Sequence, residues 1–176
     1  MVIDFWIIQL FDIIAWILLI ISYYNLNTKH ILIFHILATI LYSLHYYLLD
    51  AYSGLYICLF EIARDYLYFA TNDEKDRLIF IGSIPVYIVI GVLTFKDILG
   101  LFPLFASLMA GWSLTKKRNI IVFCAIIEYI LWVIYDLTVR SYAGAVTDGL
   151  VALANIILLC KKDFFKEEKL ESIFNK

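Results

Sequence analysis

The chain has 176 residues, 64% apolar and 17% charged, with a mean hydropathy of +0.88, only two prolines and a formal net charge of −2. A soluble domain carries roughly half apolar and a quarter charged residues, so too little polar side chain is present to coat a water-facing surface, which excludes a soluble enzyme and a disordered chain. The balance of charge also excludes a nucleic-acid binder, which needs a basic patch; what remains is a polytopic membrane protein.

In chain order, Met1-Val2-Ile3-Asp4 lacks a basic n-region and leads into an apolar run of full spanning length, so no cleavable signal is expected. Charged or turn-forming breaks cut the chain into seven runs near Phe5–Tyr24, Ile31–Leu49, Tyr52–Ala70, Leu78–Phe95, Asp97–Leu114, Ile120–Val139 and Tyr142–Cys160. Each approaches the roughly 17–25 residues that a transmembrane helix needs, and helix is the form that satisfies the backbone within a segment in lipid. The breaks are short, so consecutive helices pack as antiparallel neighbours. The weakest break is Lys96, where the fourth and fifth runs almost fuse. Beyond Cys160, the tail 161–176 mixes five lysines with four acids and leaves two readings open: a helix lying at the headgroups through Phe164, Phe165, Leu170, Ile173 and Phe174, or a frayed solvated end.

Eleven Lys and Arg fall on the side of the even breaks and tail, and two, Lys96 and Arg140, on the other. Basic residues favour the cytoplasmic side, which places the N-terminus outside and the C-terminus in the cytoplasm. Cys58, Cys124 and Cys160 sit in apolar stretches without Cys-x-x-Cys or Cys/His ligand spacing, so neither a disulfide framework nor a metal centre is expected. Hydrolase, metalloprotease and phosphate-loop motifs are missing from the sequence too, and neither an enzymatic activity nor a cofactor is expected.

Shifted by 90 residues, the first three runs fall on the last three without a gap. Tyr52-Ser53-Gly54 meets Tyr142-Ala143-Gly144, Ile40-Leu41-Tyr42 meets Ile130-Leu131-Trp132, and the polar turn at Lys29 meets that at Asn119. Three helices form an odd-numbered unit, so an extra helix must turn the chain before the second copy runs parallel to the first. The fold expected is therefore an all-α membrane protein of seven transmembrane helices, arranged as two parallel three-helix bundles joined by an inverting helix (3+1+3). Its parts are residues 1–77, the inverting helix 78–96, residues 97–160 and the tail 161–176.

Leu44-His45-Tyr46-Tyr47-Leu48-Leu49 running into Ala51-Tyr52-Ser53-Gly54, Arg64 in the third span, and Leu131-Trp132-Val133-Ile134-Tyr135-Asp136 followed by Ser141-Tyr142-Ala143-Gly144-Ala145 carry a family likeness. On these residues the chain resembles the YgjV-like bacterial inner-membrane family, and its 3+1+3 plan resembles the MtN3-like superfamily of SWEET sugar carriers and PnuC-type nicotinamide riboside transporters. The superfamily resemblance implies carrier function, with an Asn from the third helix of each half facing the substrate. Asn155 and Asp65, which coincide under the shift, would be that opposed pair. Asp65 departs from the amide, and a carboxylate there suits a cationic ligand or proton coupling.

Ionisable groups inside a span cost a few kcal/mol each and mark a pathway or a partner. Glu61 and Asp65 lie four apart on one face of the third span with Arg64 beside them, roughly 14 Å and 20 Å from the Tyr52 end. They read either as the polar wall of a cavity or as a self-compensating triad. On the seventh span Gly144, Asp148 and Asn155 share a face, and on the sixth Glu128, Trp132 and Tyr135 do, with Asp136 near the boundary expected to be wetted. Gln9, Asp12 and Trp16 line one side of the first span, and His35, Thr39, Tyr42 and Tyr46 form a polar-aromatic stripe on the second. Pro85 and Pro103 are expected to interrupt the fourth and fifth spans, and Ser107-x-x-x-Gly111 to form a small-residue packing face.

The expected function is a small-solute transporter or facilitator, rocking about a central site built from Glu61, Asp65, Trp132, Asp148 and Asn155. A non-transporting accessory or receptor-like protein on the same scaffold is the rival, and it requires the acids to pair off internally. The partners implied are the lipid bilayer, a small polar or cationic solute and, as an open alternative, a second copy of the chain in a homo-oligomer.

Overall fold

The computed structural model describes residues 4–23, 28–71, 76–113 and 118–160. Among them run α1 (Phe5–Tyr23), α2 (Thr28–Leu48), α3 (Tyr52–Ala70), α4 (Asp76–Leu93), α5 (Phe102–Ser113), α6 (Arg118–Val139) and α7 (Tyr142–Cys160). No strand occurs among the described residues. The tail 161–176, with its two readings, lies outside them.

Helices occupy the seven apolar runs, and α3 and α7 match the expected bounds. The fifth run differs. The chain leaves α4 at Leu93, passes through Thr94–Ile98, makes a 3-10 turn at Leu99–Leu101 and only then enters the 12-residue α5. Asp97 stabilises this entry by accepting the Gly100 N–H at 2.9 Å. Pro103 therefore does not interrupt a helix. It sits second in α5, in the first turn, where its missing N–H has no intrahelical acceptor to lose. Pro85 does lie inside α4.

Two corners share one backbone device. Asp50 and Arg140, 90 residues apart, have φ of 56° and 63°. The next residue in each corner donates five residues back, Ala51 N to the Tyr46 carbonyl at 2.9 Å and Ser141 N to the Asp136 carbonyl at 2.8 Å. This is the 6→1 closure that ends a helix through a left-handed residue. Neither position is glycine, so each corner carries a cost of about 1–2 kcal/mol.

Helix α1 packs on α2 and α7, α5 on α6 and α3, α2 on α3, and α6 on α7, so the contacts run round a ring of six. Helix α4 stands beside it against α3 and α5. Its approach to α5 depends on glycine: a Cβ on Gly91 would lie 2.8 Å from Leu104 Cδ2, and one on Gly111 2.7 Å from Phe80 Cδ2.

The distribution of polarity is inside out. Gln9, Asp12, His45, Arg64, Asp65 and Asp136 are buried, whereas Trp6, Leu78, Val92, Leu93, Ile98 and Val146 are exposed. Water would penalise such a surface, and hydrocarbon would not. The segments Lys29–Leu48, Ile120–Val139 and Tyr142–Cys160 are long and apolar enough to cross a bilayer. Phe5–Ile21, Arg77–Leu93 and Leu99–Ser113 are shorter apolar helices.

Candidate functional site

Within the ring lies a partly open cavity of about 360 Å³. It is lined from α2 by His35, Thr39, Tyr42 and Tyr46, which the 3.6-residue period stacks on one face, and from α3 by Cys58, Glu61, Arg64 and Asp65 for the same reason. Helix α6 adds Glu128 and Trp132, α1 adds Asp12, and α7 adds Asp148. The lining holds five carboxyl groups against one guanidinium and one imidazole.

The charged side chains fall into two sets. In the first, every group has a partner. Arg64 donates from Nε and Nη2 to Asp65 Oδ1 at 3.2 and 3.1 Å, and from Nη1 to the Tyr87 hydroxyl at 2.7 Å. Its Nη2 also lies 3.9 Å from Glu61 Oε1. His35 Nδ1 and Asp65 Oδ2 share a hydrogen bond of 2.6 Å, and Ser107 Oγ donates to Glu61 Oε1 at 2.7 Å. Charge-assisted bonds of this kind offset the desolvation of a buried ion. Ser107 thus serves more than close packing, while Gly111 does receive the Phe80 ring.

The second set is bare. Asp12 is 1% exposed, accepts one long hydrogen bond from Thr147 at 3.4 Å, and leaves Oδ1 without a partner among the described residues. Glu128 and Asp148 make no hydrogen bond or ion pair among the described residues, and Asp148 lies within electrostatic reach of both Asp12 and Glu128. Around them Tyr46 stacks on Trp132 with centroids 5.8 Å apart and planes inclined by 18°.

A belt of hydrogen bonds closes the ring at the end that carries Arg140. Tyr46 donates to Asp136 Oδ1 at 2.8 Å, and His45 joins the Ile8 carbonyl at 2.8 Å to Ser141 Oγ at 2.9 Å. Gln9 donates to the Arg140 carbonyl at 3.1 Å and accepts the Ala143 N–H at 2.9 Å. The Tyr135 hydroxyl accepts the Gly54 N–H at 2.9 Å and reaches the Ala51 carbonyl at 3.3 Å. Asp136 is fully buried here, contrary to the wetted position expected from its place near a helix end, because the corner of α6 and α7 folds over it. Gly144 lets that corner close, since a Cβ there would collide with Asp136 Oδ2 and Ser141 Oγ. At the opposite end the cavity lining continues to Ile31, Ser113 and Ile121, near the start of α2, the end of α5 and the start of α6.

Of the five residues expected at a central site, Glu61, Asp65, Trp132 and Asp148 line the cavity. Asn155 is not in the lining; its Nδ2 donates to the Val151 carbonyl of its own helix at 2.9 Å. Sequence reasoning did not find Tyr87, a fully buried α4 side chain bonded to Arg64, because a single tyrosine in an apolar run carries no signal of what it meets. Asp12 and Glu128 were visible as intramembrane acids, but their convergence on one cavity is a tertiary fact.

Among the described residues, helices with an apolar exterior and an acidic interior define an integral membrane protein. The family model for Imp-YgjV, described as a bacterial inner membrane protein, matches residues 6–164. The chain belongs to this family. No curated protein matches it, and no solved structure does.

Proposed function

We propose that the protein is a small-solute transporter or facilitator of the bacterial inner membrane, with seven spans in a 3+1+3 plan of the MtN3-like type. The observation that carries the reading is a cavity of about 360 Å³ at the centre of the helix ring, where five carboxyl groups, a guanidinium and an imidazole stand among apolar side chains while the outer surface is apolar. A polar hollow costs stability in hydrocarbon unless water or a solute fills it. The cavity is shut at one end by the Tyr46–Asp136 and His45–Ser141 bonds, and its lining reaches toward the other. A carrier in one of its two access states has that form.

The repeat reading draws support from the paired corners at Asp50 and Arg140. It is also supported by the bond between Tyr46 and Asp136, themselves 90 residues apart. Under a two-fold, equivalent residues touch only beside the axis, so on this reading the bond would lie beside it. Two three-helix halves would rock about it, α4 restoring the direction of the chain, with the basic end in the cytoplasm. Glu61, Asp65, Trp132 and Asp148 would meet the solute, and Asn155 would act through its own helix rather than by contact.

The test is thermal unfolding of the detergent-purified protein against sugars, nucleosides, vitamin precursors and small cations, followed by uptake of any stabilising solute into proteoliposomes. A ligand at 100 times its Kd stabilises by about 2.7 kcal/mol. A shift lost in Asp65→Asn, together with uptake, is the expected result. A folded protein that ignores the panel and carries nothing would overturn the reading in favour of an accessory or receptor-like role.

A further inference from the structure

We infer that the cavity takes a compact organic cation, a quaternary ammonium or protonated amine with an apolar body, held by Asp12, Glu128 and Asp148 against the faces of Tyr42 and Trp132. The inference rests on the transporter reading and names its substrate class.

Four observations point this way. First, the two basic side chains of the lining are already committed. Arg64 is divided among Asp65, Tyr87 and Glu61, and His35 is bonded to Asp65, so neither neutralises the other three acids. Second, Asp12 is 1% exposed, lines the cavity and keeps Oδ1 unpartnered among the described residues, while Glu128 and Asp148 have no hydrogen-bond or ion-pair partner there. An ionised acid buried without a counter-charge is among the most costly arrangements a fold can hold, and a cation entering the cavity offsets part of that cost.

Third, the acids do not converge as metal ligands do. No group of three or more His, Cys, Asp and Glu among the described residues is placed to hold a metal ion. The three acids come from α1, α6 and α7, so the charge they suit belongs to something larger than a bare ion. Fourth, the rest of the wall is largely apolar and includes aromatic rings. Tyr42 and Trp132 occupy equivalent places on α2 and α6, 90 residues apart, and both line the cavity. Ring faces attract a cation within about 6 Å and accept an apolar body as well. A cavity of about 360 Å³ lies at the small end of ligand pockets, which run from about 300 to 1,000 Å³. That favours a compact ligand over an extended one.

The experiment uses the full chain in detergent with choline, benzyltrimethylammonium and phenethylamine as probes. Each is set against the neutral isostere in which carbon replaces the charged nitrogen. The readouts are the unfolding temperature and tryptophan fluorescence. At least one cation is expected to raise the unfolding temperature while its isostere does not. Asp12→Asn and Asp148→Asn are each expected to weaken that binding by at least about thirtyfold, and Asp50→Asn, a charge lost outside the cavity, to leave it unchanged. Without ligand, the Asp12 and Asp148 variants should unfold no earlier than the parent chain, since each removes an uncompensated acid; a purely structural acid would behave oppositely.

Equal binding of cation and isostere, or a folded protein indifferent to every cation probe, overturns the inference. Uptake of neutral solutes into proteoliposomes with no cation binding leaves the transporter reading standing and removes the cation class. Cation binding without uptake does the reverse.

Discussion

Arg64 spreads its guanidinium over Asp65, Tyr87 and Glu61 while remaining 7% exposed. Removing one member of a buried ion network strands the others, so Arg64→Ala should destabilise the protein by about 3–5 kcal/mol, read as a lowered unfolding temperature in detergent. Arg64→Lys should not restore it, because an ammonium lacks the planar fork that reaches Asp65 from two nitrogens and Tyr87 from a third. The i, i+3 and i, i+4 spacing made the Glu61–Arg64–Asp65 grouping legible in the sequence. His35, Tyr87 and Ser107 complete it from α2, α4 and α5, and no local pattern announces a partner that arrives from another helix. Asp136 teaches the converse: nearness to a helix end suggested water, but the corner that follows buries it.

Helices in this chain approach one another where glycine allows it. At Gly144 an added methyl would strike Asp136 and Ser141, two polar groups already engaged in the belt that closes the ring, whereas at Gly82 it would meet nothing within 4 Å. Gly144→Ala should therefore cost about 1–3 kcal/mol by overpacking. Gly82→Ala should be neutral or stabilising by up to about 1 kcal/mol through helix propensity. Parallel unfolding curves of the two variants check both. Element positions were largely readable, because the apolar runs and their polar breaks dictate where helices in lipid start and stop. The shortened α5 was not, since the 3-10 entry depends on Asp97 capping Gly100, a contact three residues long within a run that reads as continuous.

For the molecule as a whole, the cavity is closed over at the Arg140 end and its lining reaches toward the end where α2 and α6 begin. Cys58 lines that cavity, while Cys124 and Cys160 do not. Because Cys58 is itself 3% exposed, the probe is Ala125→Cys in a chain whose three native cysteines are replaced by serine, and a small impermeant thiol reagent should label it from the side where α2 and α6 begin and not from the other. Oriented vesicles treated on one face at a time read this directly, and labelling from the Arg140 side alone would contradict the access state. Tyr46→Phe should weaken this asymmetry, since it removes the donor to Asp136 and leaves a buried carboxylate oxygen unbonded, at a cost of about 1–3 kcal/mol. The inside-out polarity was legible from composition; the enclosure of five acids around one hollow was not, because composition counts charges without saying which way they turn.

The bond between Tyr46 and Asp136 joins positions that the proposed repeat makes equivalent. Two identical half-length chains assembled about the same axis would set tyrosine against tyrosine there, or carboxylate against carboxylate. Neither pairing supplies one donor and one anionic acceptor. On the proposed repeat the closure would need a fused chain whose halves have diverged, so expressing each half alone and pairing it with itself should give an assembly that cannot latch.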